Sequence, residues 1–196
     1  MPIRIVNDNE EFENEYFHDE ENETIVSFLK IGEKEYNICD AFIIGLFVEN
    51  ESNQVSWSVE VQIDSEDEIF ESFSDIYPTD GYTIDDISLT EVDNPEDLEL
   101  ITYEGDLNAS ITKVVGVSFG DYDYEINEIP CTIEAELDSG EEYFLQSNLE
   151  FRGYYYFTQN KNSVKNFVEE YLGYEIDDVE IEYEKQEDGS WLCMVF

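Results

Sequence analysis

Between residues 55 and 63 the chain alternates without a break. Val55, Trp57, Val59, Val61 and Ile63 fall on one side of an extended segment, with Ser56, Ser58, Glu60 and Gln62 on the other. A period of two with one apolar face marks a strand that buries one side and wets the other. An antiparallel sheet is built from such strands, whereas helical bundles and doubly covered parallel sheets are not. Residues 24–31 and 36–48 read as further strands, with Gly32-Glu33 turning the chain between them.

Helical spacing then interrupts the strands. Ser65 with Glu68 three residues on makes a capping box, and Ile69, Phe70, Phe73, Ile76 and Tyr77 form an apolar stripe stopped by Pro78. A helix is expected here. Asp80-Gly81 turns the chain into strands at 84–92 and 98–103. The second half repeats this order, with a strand at 111–119, a turn at Gly120-Asp121, strand material at 124–137 with a bulge at Pro130, and more at 143–157 around Gly153. Ser163 is placed to cap a second helix whose stripe is Val164, Phe167, Val168, Tyr171 and Leu172, and Gly173 ends it. Strands at 179–183 and 191–196, joined by a turn containing Asp188-Gly189, close the chain.

The repetition reaches single residues. Gly32, Tyr36 and Ile38 match Gly120, Tyr124 and Ile126 at an offset of 88, and Phe73 and Tyr77 match Phe167 and Tyr171 at 94. Gly81, Tyr82, Ile84, Asp85, Asp86, Ile87 and Leu89 match Gly173, Tyr174, Ile176, Asp177, Asp178, Val179 and Ile181 at 92. The expected fold is α+β: two tandem, duplicated modules at 24–106 and 107–196, each an antiparallel sheet with one helix, behind an acidic arm at 1–23.

Composition enters through charge. The 196 residues include 51 Asp plus Glu against 8 Lys plus Arg, a formal net charge of -43. With 41% hydrophobic and 15% aromatic residues, the chain carries too much apolar material for a disordered acidic tail. A compact protein of 22.9 kDa exposes roughly 9,600 Å², or about one net charge per 220 Å². Duplex DNA carries one per ~110 Å². Salt adaptation is a poor explanation, since only three Ala stand beside 19 Ile and 14 Asn, a bias associated with AT-rich coding, in which Lys is ordinarily plentiful. Here there are six. Direct binding to nucleic acid or to an anionic membrane is excluded by repulsion, and a basic partner is implied.

Signatures of catalysis are sparse. His18 is the single histidine, no cysteine pair has zinc spacing, no glycine-rich loop could cradle phosphate, and no Lys lies two residues after an acidic residue. Asp121, Asp123 and Glu125 alternate as calcium ligands do but lack the glycine and loop of an EF-hand. Neither an enzyme nor a cofactor is expected. Cys39, Cys131 and Cys193, odd in number and set in apolar segments, read as buried free thiols of a reducing compartment. With no apolar run near 18 residues and no secretory leader, a cytoplasmic protein is expected, in the host cytoplasm if phage-encoded.

The distribution of charge singles out candidate contact residues. Between Lys34 and Lys113 lie 78 residues with 21 carboxylates and no cation. Asp64, Glu66, Asp67, Glu68, Asp85, Asp86, Asp93, Glu96 and Asp97 belong to this stretch. Near the end of the chain, Asp177 precedes Asp178, Glu180, Glu182 and Glu184, which alternate with Val179, Ile181 and Tyr183. A strand there would bury the apolar set and display carboxylates every ~6.6 Å, of the order of one phosphate step. Like charges in a row cost stability, so the row asks for a reason.

In charge density and lack of catalytic residues the chain resembles the acidic anti-restriction and anti-CRISPR proteins of phages and mobile elements. The resemblance covers composition over the whole chain and no motif. It implies a DNA mimic that occupies the phosphate-binding groove of a basic, nucleic-acid-handling nuclease complex. An alternative is an immunity protein that neutralises one cognate basic nuclease toxin. A carrier for basic proteins is a further rival, and the oligomeric state is left open.

Overall fold

In the computed structural model the described residues are 27–49, 55–63, 70–76, 82–88, 99–103 and 111–196. Strands β1 (Phe28–Ile31), β2 (Lys34–Val48), β3 (Ser56–Ile63), β4 (Phe70–Ile76) and β5 (Glu99–Tyr103) come first, with a short helix α1 (Ile84–Ser88) between β4 and β5. Strands β6 (Ile111–Phe119), β7 (Glu128–Leu137) and β8 (Glu142–Thr158) follow. Helix α2 then runs through a 3₁₀ turn at Lys161–Ser163, an α turn at Val164–Asn166 and a π-helical stretch at Phe167–Leu172. A 3₁₀ turn at Ile176–Asp178 leads to β9 (Ile181–Lys185) and β10 (Trp191–Val195).

The architecture is sheet-dominated α+β. All ten strands join one sheet, in the order β5-β4-β3-β2-β1-β8-β10-β9, with β7 on β8 and β6 on β7. Strand β8 is its spine. The first half of β8 pairs β1 and β7, and its second half pairs β10 and, in parallel, β2. Every other pairing is antiparallel. A register shift in the β2–β8 pairing falls between Phe151 and Tyr154, where Gly153 takes φ +85. A Cβ on Gly153 would lie 2.2 Å from the carbonyl oxygen of Val195, so only glycine lets β10 pass so close.

The apolar face read at 55–63 appears as expected, but the polar face is not wetted: Ser58 is buried and Ser56, Glu60 and Gln62 are half-buried. Val55, Trp57, Val59, Val61 and Ile63 are all buried. They share a core with Leu29, Ile43, Phe47, Ile133, Leu145, Tyr154 and Tyr156. Helix α2 covers this side of the sheet. Phe167 stacks on Tyr156, ring centroids 4.7 Å apart and 5° from parallel, and touches Phe47 at 5.0 Å. Gly173 ends the helix in the left-handed conformation, φ 74, as its position implied.

Several local expectations are corrected. Residues 70–76 form a strand paired on both edges, by β3 and β5, where a helix was expected. One extra residue lies between Phe73 and Ile76 opposite the step from Val59 to Trp57, which breaks the strict alternation and leaves helix-like spacing. Residues 84–88 are helical where a strand was expected. Asp86 Oδ2 accepts the backbone N–H groups of Tyr82 and Thr83, both at 2.7 Å, and the Thr83 hydroxyl at 2.9 Å, and so closes the first turn. Residues 124–127 turn before β7 begins, and Pro130 sits in unbroken register opposite Asn148 with no bulge. Ser163 caps nothing with its side chain, and Asn160 accepts from the N–H of Asn162 instead.

The sequence correspondences meet mixed outcomes. Phe73 lies on a strand and its counterpart Phe167 on a helix, while the stretch from Ile84 and that from Ile176 each form a helical turn. The arm at 1–23, His18, Ser65, Glu68 and Pro78 lie outside the described residues. Among the described residues no helix is long and apolar enough to cross a membrane.

Candidate acidic interface

The edge strand β9 follows a chain path set by its neighbours. Glu180 and Phe196 exchange backbone hydrogen bonds of 3.2 and 2.9 Å, and β9 then pairs β10 from Ile181 to Lys185. Glu180, Glu182 and Glu184 alternate outward and are exposed. The strand is shorter than expected at its start, because Asp178 belongs to the 3₁₀ turn rather than to the row. Asp177 and Asp178 are exposed there. On the other side Val179 and Ile181 are half-buried, but Tyr183 is 47% exposed, contrary to the expected buried set, since β9 overhangs the core as the last strand of the sheet.

Two of the selected carboxylates serve the fold itself. Asp86 closes the α1 turn, and Asp85 accepts a short hydrogen bond from the Tyr124 hydroxyl. That bond, with some burial and the nearby charge, raises the Tyr124 pKa to about 12. Asp64, Glu66, Asp67, Glu68, Asp93, Glu96 and Asp97 lie outside the described residues.

A second acidic surface was not singled out from the sequence. On β7, Ile129, Cys131, Ile133, Ala135 and Leu137 point to the core, which turns Glu134 and Glu136 outward on the opposite face, with Glu128 half-buried. On β8, Tyr143, Leu145 and Leu149 are buried, while Glu142 and Glu150 are exposed. The register sets Glu136 opposite Glu142 and Glu128 opposite Glu150. It also aligns Glu35, Lys30, Phe144 and Glu134 across four strands. Residues directly opposite lie about 5 Å apart, and successive outward residues about 6.6 Å, so this face is a lattice of charge at phosphate-like spacing. Alternation of Glu with apolar residues over 128–137 was the available signal.

Among the described residues, most of the basic side chains have internal partners. Lys113 pairs with Glu136 at 3.6 Å and Lys165 with Glu169 at 3.4 Å. Arg152 donates to Glu150 at 2.7 Å and Asp40 at 2.8 Å and lies 4.0 Å over the Phe42 ring. Lys34 sits over Tyr36, and Lys161 and Lys185 sit over Trp191. Beside Arg152, burial pushes the Glu60 pKa up; the guanidinium opposes this and Asp40 reinforces it.

Where the 173–179 loop, the β8 bulge and the C-terminus meet, the surface opens into a cleft of about 800 Å³. Tyr122, Phe151, Tyr154, Tyr155, Tyr174 and Phe196 supply its aromatic walls, and Glu150, Glu175 and Asp178 its carboxylates. Tyr174 is 40% exposed and Phe196 52%. The Tyr154 hydroxyl accepts the N–H of Ile84 at 3.0 Å, which ties α1 to this wall.

Among the described residues no group of three or more His, Cys, Asp or Glu is placed to hold a metal ion. Cys131 and Cys193 are buried, and burial pushes their thiols up, that of Cys193 to about 11. Cys39, expected to be buried, is exposed. It is the extra residue of a register shift between Ile38 and Asp40, which takes it out of the alternation. No protein-family model matches this chain, and no curated protein or solved structure matches it either.

Proposed function

We propose that the protein is a nucleic-acid mimic, a non-catalytic inhibitor that occupies the phosphate-binding groove of a DNA- or RNA-handling defence enzyme such as a restriction or CRISPR nuclease. The observation that carries this reading is the exposed pair Glu136 and Glu142, opposed across β7 and β8, where Lys113 offers Glu136 only an exposed contact at 3.6 Å. Opposed like charges cost a sheet stability, and solubility is served by far less charge than -43. Their retention is accounted for by a partner whose Lys and Arg residues take the place of counterions. Association is then fast and strongly salt-dependent.

The carboxylates of β7, β8 and β9 form the contact surface in this reading, extended by Asp177 and Asp178. Internal duplication rests on the residue correspondences at offsets of 88 to 94 alone, since strands from both expected modules join one sheet, and mimicry does not depend on it. The test is affinity capture from cells carrying restriction and CRISPR systems. A basic nucleic-acid-binding complex is retained at low salt and released by duplex DNA or RNA. Recovery of no such complex overturns the proposal, and recovery of one small toxin, bound tightly and indifferent to nucleic acid, replaces it with an immunity function. Reversal of Asp178, Glu180, Glu182 and Glu184 to Lys slows association if β9 faces the partner.

A further inference from the structure

The cleft beside Gly153 has a composition that general acidity does not explain. A surface selected only for charge or hydration has no use for exposed rings, yet Tyr174 and Phe196 stand 40% and 52% exposed in its walls, with Tyr122 beside them. Exposed aromatic residues in a concave site are the usual anchors of a protein interface. Here they are accompanied by Glu175 and Asp178, both exposed, and by Glu150. Aromatic faces and carboxylates together select one kind of group, a cation that is planar and weakly hydrated enough to stack while its N–H groups reach carboxylate oxygens. Guanidinium meets both demands, whereas ammonium is compact and holds its water more firmly.

The molecule already contains this arrangement on a smaller scale. Arg152 lies over the Phe42 ring with its guanidinium held by Asp40 and Glu150. Arg152 itself lines the cleft, its charge met by Glu150 and Asp40, which leaves Glu175 and Asp178 as the carboxylates for a guest. A volume of about 800 Å³ exceeds one side chain and accommodates a short segment around it.

We propose that this cleft is an arginine-binding site, which takes a guanidinium side chain and its flanking backbone from the basic partner, stacked on Tyr174 and Phe196 and paired with Glu175 and Asp178. The inference rests on the partner being basic, as in the function proposed above, and adds a point of anchorage to an otherwise diffuse electrostatic contact.

A capped heptapeptide containing one Arg among Gly and Ser residues is the probe, titrated into ¹⁵N-labelled full-length protein at low salt. Its Lys and citrulline counterparts serve as controls. The Arg peptide shifts the amides of Gly153, Tyr174 and Phe196 saturably, the Lys peptide requires a severalfold higher concentration, and the citrulline peptide leaves them in place. Tyr174→Ala weakens the Arg peptide by about threefold to tenfold, and Asp178→Asn weakens it too. Should Tyr174→Ala disturb the spectrum generally, Phe196→Ala supplies the same test. Equal effects of Arg and Lys peptides, or shifts centred on Glu182 and Glu142 and indifferent to both aromatic variants, overturn the proposal. The two readings fail separately. A cleft that binds the Arg peptide in a protein unable to displace nucleic acid ends the mimic reading alone, and displacement without cleft binding ends only this one.

Discussion

Glu136 of β7 and Glu142 of β8 stand directly opposite one another across adjacent antiparallel strands, both exposed. Glu136 has Lys113 at 3.6 Å for relief, but both ends of that pair are more than half exposed and screening leaves it weak. Removing one of the opposed charges therefore stabilises the fold. Glu142→Gln is expected to raise the unfolding free energy by up to about 1 kcal/mol at low salt, with the gain shrinking as salt is added. Urea denaturation at two ionic strengths measures it. The same variant loses affinity for the partner, which separates a charge retained for function from one retained for folding.

The Tyr124–Asp85 contact gives a pH signature. The hydrogen bond to Asp85 pushes the folded phenol up to about 12 from the ordinary value of about 10, so the folded form holds its proton more tightly. The contribution of this bond is fully present below about pH 10 and is lost as pH rises through 12. Absorbance at alkaline pH, taken as the difference between the parent and Tyr124→Phe, follows this one phenol among 14 tyrosines. Asp85→Asn brings the transition down toward the ordinary value.

Thiol reactivity checks the placement of the bulge on β2. Cys39 is exposed, while Cys131 and Cys193 are buried with raised thiol pKa values. Under native conditions one equivalent of a thiol reagent reacts quickly, and all three react in denaturant. Cys39→Ser removes the fast phase. Absence of a fast phase, or a fast phase that survives Cys39→Ser, contradicts the register between Ile38 and Asp40.

Gly153 couples the sheet to the cleft. A methyl group there meets the Val195 carbonyl at 2.2 Å on a backbone with φ +85, and neither the strand pairing nor the dihedral can yield cheaply. Gly153→Ala is expected to cost on the order of 3 kcal/mol, read from the urea midpoint. Where the variant stays folded at low temperature, peptide binding in the cleft falls as well.

The sequence made the core strands legible because their period is unbroken. The apolar face of 55–63 follows from alternation, though not the burial of Ser58 on the other side, and Gly173 marked the end of α2 by the left-handed conformation it supplies. What was misread depended on pairing partners that no local pattern names. Residues 70–76 have aromatic spacing suited to a helix, yet β3 and β5 claim both of their edges and the extra residue before Ile76 hides the period of two. At 84–88 the signal was present as Thr83 with Asp86 three residues on, but the flanking apolar residues outweighed it. The acidic row on β9 was found because its carboxylates alternate within one short segment of the chain. The β7–β8 face was missed because half its charge comes from another strand, and only register brings Glu128 to Glu150 and Glu136 to Glu142. The cleft draws Tyr122, Gly153, Tyr174 and Phe196 from separated parts of the chain, which no single segment reveals.

Equilibrium competition tests the central claim most directly. The captured enzyme is loaded with a labelled duplex or single strand, and the protein is titrated in across a salt series. Mimicry predicts complete displacement of the nucleic acid, with an inhibition constant that weakens steeply and linearly in log salt, as the binding of nucleic acid itself does. A ternary complex holding both nucleic acid and protein, or displacement indifferent to salt, contradicts it.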